Sequence, residues 1–257
     1  MRLAVSELER FYAGPLGPAV ERSLTAKFYE AWGQGDRLRI AGYGYAQPYL
    51  RLFTKAERLA ALCPAGSGVR AGGPVPAVLV DDYAWPLPDA SIDRLLIVHG
   101  LEEATDTRRL LREVWRVLTD DGLVIFAVAN RRGPWSLVET SPFAAGRPFS
   151  RRQLDLALKA AMFAPTAYAA ALHFPPIPNR GLLRLAPLWD RLGDSLDALS
   201  IGRLLPNIAG VNLVEARKTT SLPIGSARAE VLRPGLFAPG GRLDPSGAVA
   251  RRDEDGS

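Results

Sequence analysis

The chain has 257 residues, 47% of them hydrophobic and 23% charged, with a formal net charge of +5. That balance is the composition of a globular protein rather than a disordered one, and the length suits one elaborated α/β domain better than two. The single cysteine, Cys63, excludes an intramolecular disulfide framework and a cysteine-rich metal centre, and the two histidines, His99 and His173, leave little for any other metal site. The start, MRLAVSELER, lacks the charged-then-apolar layout of a secretory signal, and no apolar run reaches the ~18 residues of a membrane span. The expectation is a cytoplasmic protein whose mild basicity favours acidic partners.

Apolar residues Leu8, Phe11, Tyr12, Val20, Leu24, Phe28 and Trp32 are interrupted by a Gly/Pro run at 14–18, which predicts a short helix, a turn and a longer amphipathic helix. Residues 1–36 are read as a helical cap over the domain that follows. A first strand is expected at Arg37 to Ala41, then a glycine turn, Gly42-Tyr43-Gly44-Tyr45-Ala46, and a helix opened by Pro48, whose fixed φ suits a first turn. Further strands are expected at Arg58 to Leu62, at Ala77 to Val80 ending in Asp81-Asp82, and at Asp93 to Val98, whose LLIV run marks burial on both faces.

A helix at Thr107 to Leu118 carries Leu110, Val114, Val117 and Leu118 on one stripe, and Asp120-Asp121-Gly122 then turns into a strand at Leu123 to Ala129. The alternation predicts a mostly parallel sheet with helices on both faces, spanning residues 37–223. Later elements are a helix from Ser150 to Met162 capped by Ser150, a strand at Ala167 to Phe174 and another at Gly210 to Thr219. Between those strands lies a Pro-bounded insertion, about 175–206, with a helix around Leu182 to Leu192; its length suits a lid. Residues 224–257, rich in Gly, Pro, Ala, Ser and Arg, read as a disordered tail.

In sheets of this kind ligands sit at the C-terminal ends of parallel strands. Gly42 and Gly44 offer close backbone approach there, although the third glycine of a dinucleotide fingerprint is absent. Asp81 and Asp82 read either as a strand-ending turn or as ligand contacts. His99 reads either as a structural histidine or as a base.

Taken together the segments resemble the class I S-adenosylmethionine-dependent methyltransferases. Leu87-Pro88-Asp89, Ser91 and Asp93 match the family's Leu-Pro-Phe-Pro-Asp run, and Leu111, Glu113, Arg116-Val117-Leu118 and Gly122 match its Glu, Arg-Val-Leu and Gly-Gly run. The resemblance implies a Rossmann-like methyltransferase fold and S-adenosyl-L-methionine as cofactor. It implies contacts from Gly42 and Gly44 to the methionine part, from Asp81 or Asp82 near the adenine, and from His99 and Gly100 at the methyl-transfer site. Two family acids are replaced, at the end of the first strand by Ala41 and at the end of the second by Leu62-Cys63-Pro64.

The signature of an amide or base N-methyltransferase, Asn-Pro-Pro-Tyr, is absent after the fourth strand. Asn130, Arg131, Arg132 and Arg147, with Arg151 and Arg152 nearby, instead suggest a basic rim for an acidic or phosphorylated substrate or a solvated loop. The expected activity is methyl transfer to a small molecule, largely by alignment, with His99 as the base if one is used. The alternative is a binding or regulatory protein of the same fold without catalysis; a nucleic-acid substrate is a third reading.

Overall fold

A computed structural model describes residues 2–69, 73–198 and 209–219. The expected tail at 224–257 and the end of the insertion, 199–206, lie outside the described residues. The N-terminal region folds into α1 (Val5–Ala13) and α2 (Gly17–Trp32). Then come β1 (Arg39–Gly44), α3 (Gln47–Leu50), β2 (Arg58–Pro64), β3 (Ala77–Val80), β4 (Ile92–Val98), α4 (Thr107–Val117) and β5 (Leu118–Ala129). The chain continues through α5 (Arg151–Ala160), β6 (Phe163–Ala171), α6 (Arg180–Arg184), α7 (Ala186–Ala198) and β7 (Val211–Lys218).

The sheet runs β3-β2-β1-β4-β5-β7-β6, parallel except for β7, which is antiparallel to both neighbours. Helices pack on both faces. Alternate residues of β4 supply the two cores: Leu96 and Val98 join Val20, Leu24 and Phe28 of α2, while Leu95 and Ile97 join Leu110, Val114 and Val117 of α4. That two-sided burial is why the LLIV run has no polar alternation.

Several boundaries differ from expectation. β1 begins and ends later than Arg37 to Ala41, because its pairing with β4 continues to Gly44 opposite Val98. Gly42 and Gly44 are therefore strand residues, and the bend falls at Tyr45. The helix opened by Pro48 is a single turn. Asp120-Asp121-Gly122 lies within β5, beside a register shift at Ile92 and Arg94 of β4. β6 is displaced to Phe163–Ala171, anchored by the fully buried Phe163.

The two matched sequence runs meet in one network. Arg116 donates to Glu113 Oε1 (2.6 Å), to Asp89 Oδ1 (2.6 Å) and to the carbonyls of Leu87 (2.8 Å) and Trp85 (3.1 Å). Glu113 Oε1 also accepts the Trp85 N–H at 2.7 Å, and Ser91 Oγ donates to the Pro88 carbonyl. Burial raises the Glu113 carboxyl, but the Arg116 guanidinium and the Trp85 N–H outweigh it and hold it below the usual carboxylate range. This lock pins the 85–91 loop to α4. At the far side of the molecule α7 is clamped to α2 by Ser23 Oγ donating to Asp190 and Lys27 Nζ donating to Asp194, both at 2.6 Å.

Candidate functional site

A pocket of about 230 Å³ opens at the C-terminal ends of β1, β2 and β4. Gly44 and Tyr45 form its floor, Cys63 and Pro64 its β2 side, and His99 its inner end, while Val5, Leu8 and Glu9 of α1 form a roof. Gln47, Arg51 and Ser67 complete the polar lining. The walls are mainly apolar with a few polar groups, the usual character of a small-molecule site.

The roof is fixed by four contacts. The Val5 N–H donates to the Ser67 carbonyl (2.7 Å), Arg2 pairs with Asp82 (2.6 Å), the Leu3 N–H donates to Glu103 Oε1 (3.2 Å), and the Tyr12 hydroxyl meets His99 Nε2 at 3.0 Å. Tyr49 in turn donates to the Tyr12 hydroxyl at 2.9 Å. His99 is buried against Tyr12 and Phe143, and burial pushes its imidazole down to about 3, so it stays neutral at ordinary pH. The same burial drives the Tyr12 phenol well above its usual value.

Of the cofactor-contact and rim candidates read from the sequence, Gly44 and His99 line the pocket, whereas Gly42, Asp81, Asp82, Gly100, Asn130, Arg131, Arg132 and Arg147 do not. Gly44 has φ +79°, and a Cβ there would lie 2.2 Å from the Val98 carbonyl oxygen, so glycine is required by the approach of β4 as well as by the floor. A Cβ on Gly42 would meet Ala46 at 2.6 Å, which ties that glycine to the packing of α3. Gly100 passes over the Tyr43 ring, where a Cβ would lie 2.8 Å away. Asp82 is engaged by Arg2 and by the Tyr43 hydroxyl at 2.6 Å, and Asp81 accepts the Tyr83 N–H of its own turn.

Asn130 is buried, donating to the Ala209 carbonyl (2.8 Å) and accepting the Arg132 N–H (3.2 Å), so it shapes the loop after β5. Arg131, Arg132 and Arg147 are exposed around that loop, and Arg151 lies 4.0 Å over the Tyr168 ring. Sequence reasoning missed Glu9, Gln47 and Arg51, because nothing local marks a helix residue as facing a strand end far along the chain.

It also missed Glu102, a buried carboxyl beyond β4. Its Oε1 accepts the Ala129 N–H at 2.6 Å, its Oε2 has no hydrogen-bond partner among the described residues, and burial raises it to about 7. Among the described residues no group of three or more His, Cys, Asp or Glu is placed to hold a metal, and no helix is long and apolar enough to cross a membrane.

Residues 41–126 match the family model described as a methyltransferase domain. The uncharacterized protein YafS of Escherichia coli (strain K12) is 30% identical over 159 residues, which is 59% of this chain and 59% of that protein. Among solved structures, a SAM-dependent methyltransferase from Aquifex aeolicus aligns with a TM-score of 0.53 at 12% identity, over 83% of this chain and 98% of the other. A possible histamine N-methyltransferase from Thermotoga maritima aligns with a TM-score of 0.51 at 19% identity, over 84% and 96%. At such identities these likenesses speak for the fold. With the matched segment and the strand order in agreement, residues 41–126 resemble a methyltransferase domain, and the sheet has the Rossmann-like fold of the S-adenosylmethionine-dependent methyltransferases it aligns with.

Proposed function

We propose that the protein transfers a methyl group from S-adenosylmethionine, the cofactor of the methyltransferases it resembles, to a small molecule. The observation that carries this reading is the pocket at the ends of β1, β2 and β4, closed by α1. Its residues fit such a cofactor. The floor at Gly44 is a cradle that any side chain would disrupt, the flat apolar walls of Leu8, Pro48 and Pro64 suit a purine, and Glu9 supplies a carboxylate where β2 offers only Cys63-Pro64.

When bound, the cofactor supplies an electrophilic methyl group. Glu9 then accepts hydroxyl hydrogen bonds, Gly44 and Tyr45 fix the depth of the bound molecule, and α1 excludes water from above. The Tyr49–Tyr12–His99 chain holds the inner end rigid. His99, kept neutral by burial, acts as a hydrogen-bond partner rather than as a strong base, so rate enhancement comes chiefly from alignment. The exposed Arg131, Arg132 and Arg147 favour an anionic acceptor, and reversing Arg131 and Arg132 should lower turnover in a salt-dependent way. We assign the reaction to the cytoplasm, in keeping with the lone reduced thiol of Cys63.

Calorimetric titration with S-adenosylmethionine tests the reading. Saturable binding is expected, weakened about tenfold in Glu9→Gln with the melting temperature unchanged, since a hydrogen bond to a charged group contributes about 1.5–3 kcal/mol. Absence of binding to the wild-type chain would overturn it. A second reading, a binding protein of this fold without catalysis, draws on the missing acids at the ends of β1 and β2. Binding with no release of S-adenosylhomocysteine on incubation with a fraction of cellular small molecules would favour that reading.

A further inference from the structure

The helical insertion before β7 presents a face that the pocket does not use. Leu185, Leu188, Trp189 and Leu192 follow the i, i+3, i+4, i+7 spacing of one helix stripe, and all four point away from the domain, 47%, 53%, 43% and 52% exposed. Soluble monomers seldom expose large side chains as a contiguous patch without a partner for it. The charges of the same segment are sorted by side. Asp190 and Asp194 turn inward, where they accept hydrogen bonds from Ser23 and from Lys27, and Asp190 also accepts the His173 N–H at 3.0 Å. Arg180, Arg184 and Arg191 remain exposed. The clamp on α2 thus takes up Asp190 and Asp194, while the exposed side chains described on α6 and α7 include the apolar stripe and these three arginines.

We propose that this outer face of α6 and α7 docks on an anionic membrane surface. Leu and Trp side chains at one level with arginines beside them suit the headgroup region of a bilayer, where the apolar residues enter the acyl boundary and the guanidinium groups meet lipid phosphates. Charge complementarity separates this occupant from two others. The chain beyond residue 219 carries five arginines against five acids, so it has no net charge to match a basic surface. A second copy docking symmetrically through the same face would set arginine against arginine.

Cosedimentation of the full chain with vesicles, phosphatidylcholine alone or with about 30% phosphatidylglycerol as the anionic lipid, tests the proposal. Binding is expected to the mixed vesicles only, and to fall as salt is raised. Leu188→Glu combined with Trp189→Glu should weaken it at least tenfold, and Arg184→Glu or Arg191→Glu should each weaken it by about fivefold or more. Because these side chains are exposed, the melting temperature should stay unchanged, and the arginine variants provide the test should the apolar pair misfold.

Four results would overturn the idea: no binding to anionic vesicles; binding that the arginine variants leave intact; binding only after truncation at Thr219, which would show that the tail covers the face; or a concentration-dependent dimer that the Leu188/Trp189 variant dissociates, which would show that a second copy does.

Discussion

The Arg116 lock and the pocket under α1 lie on the same sheet but treat charge differently. In the lock, Asp89, Glu113 and Arg116 are close in sequence or joined by one loop, and every strong contact is between groups of that segment. In the pocket, the carboxylate comes from Glu9 and the floor from Gly44, while the roof is fastened by contacts to Ser67, Asp82 and His99. The family pattern survives where it holds a loop in place. At the pocket, where Ala41 and Cys63-Pro64 replace the acids of that pattern, a helix before the sheet brings Glu9 instead.

Three changes separate the two regions. The largest effect is expected for Gly44→Val, which combines positive φ with a collision against the Val98 carbonyl and should cost about 4 kcal/mol of stability. Loss of ligand binding in that variant would follow from damage to the fold, so chemical denaturation should accompany any titration; unchanged stability would break the link between the floor and the sheet. Arg116→Ala should come next, at about 2–3 kcal/mol, because it strips charged hydrogen bonds from the nearly buried Glu113. Cofactor affinity, measured well below the melting transition, should be unaffected, and a parallel loss would mean that lock and pocket are coupled.

The third change concerns pH. Burial raises Glu102 to about 7 in the folded protein, so between its ordinary value of 4.5 and about 7 the native state holds a proton that the unfolded chain has released. Its contribution to stability is therefore full below about pH 4.5 and is lost as pH rises through about 7. Glu102→Gln should remove that loss, so the melting-temperature difference between variant and wild type should widen in favour of the variant from pH 5 to pH 8. A constant difference would show that Glu102 is ionised throughout.

The fold was largely legible. The LLIV run of β4 and the stripe of α4 each reflect burial by near neighbours in the sheet, and local periodicity records that directly. Strand ends were less so, because β1 is extended to Gly44 by pairing with β4, a partner some fifty residues away. Gly44 and His99 line the pocket because they stand at the C-terminal ends of the central strands β1 and β4. Asp81 and Asp82 follow the edge strand β3, where Arg2 and Tyr43 take up Asp82 and the turn takes up Asp81. Glu9 lay beyond reach, as only the docking of α1 brings it to the pocket.

The anchoring of α2 bears on how the chain assembles. Trp32 Nε1 donates to Glu215 of β7 at 2.8 Å, and Ser23 and Lys27 hold residues of α7, each contact spanning well over 150 residues. Closing such loops costs entropy before any contact is gained, which slows folding more than it lowers final stability. During synthesis α2 emerges long before its polar anchors. Ser23 and Lys27 must wait for α7 and Trp32 for β7, so the strand that joins β5 to β6 in the sheet also completes the mooring of the second helix.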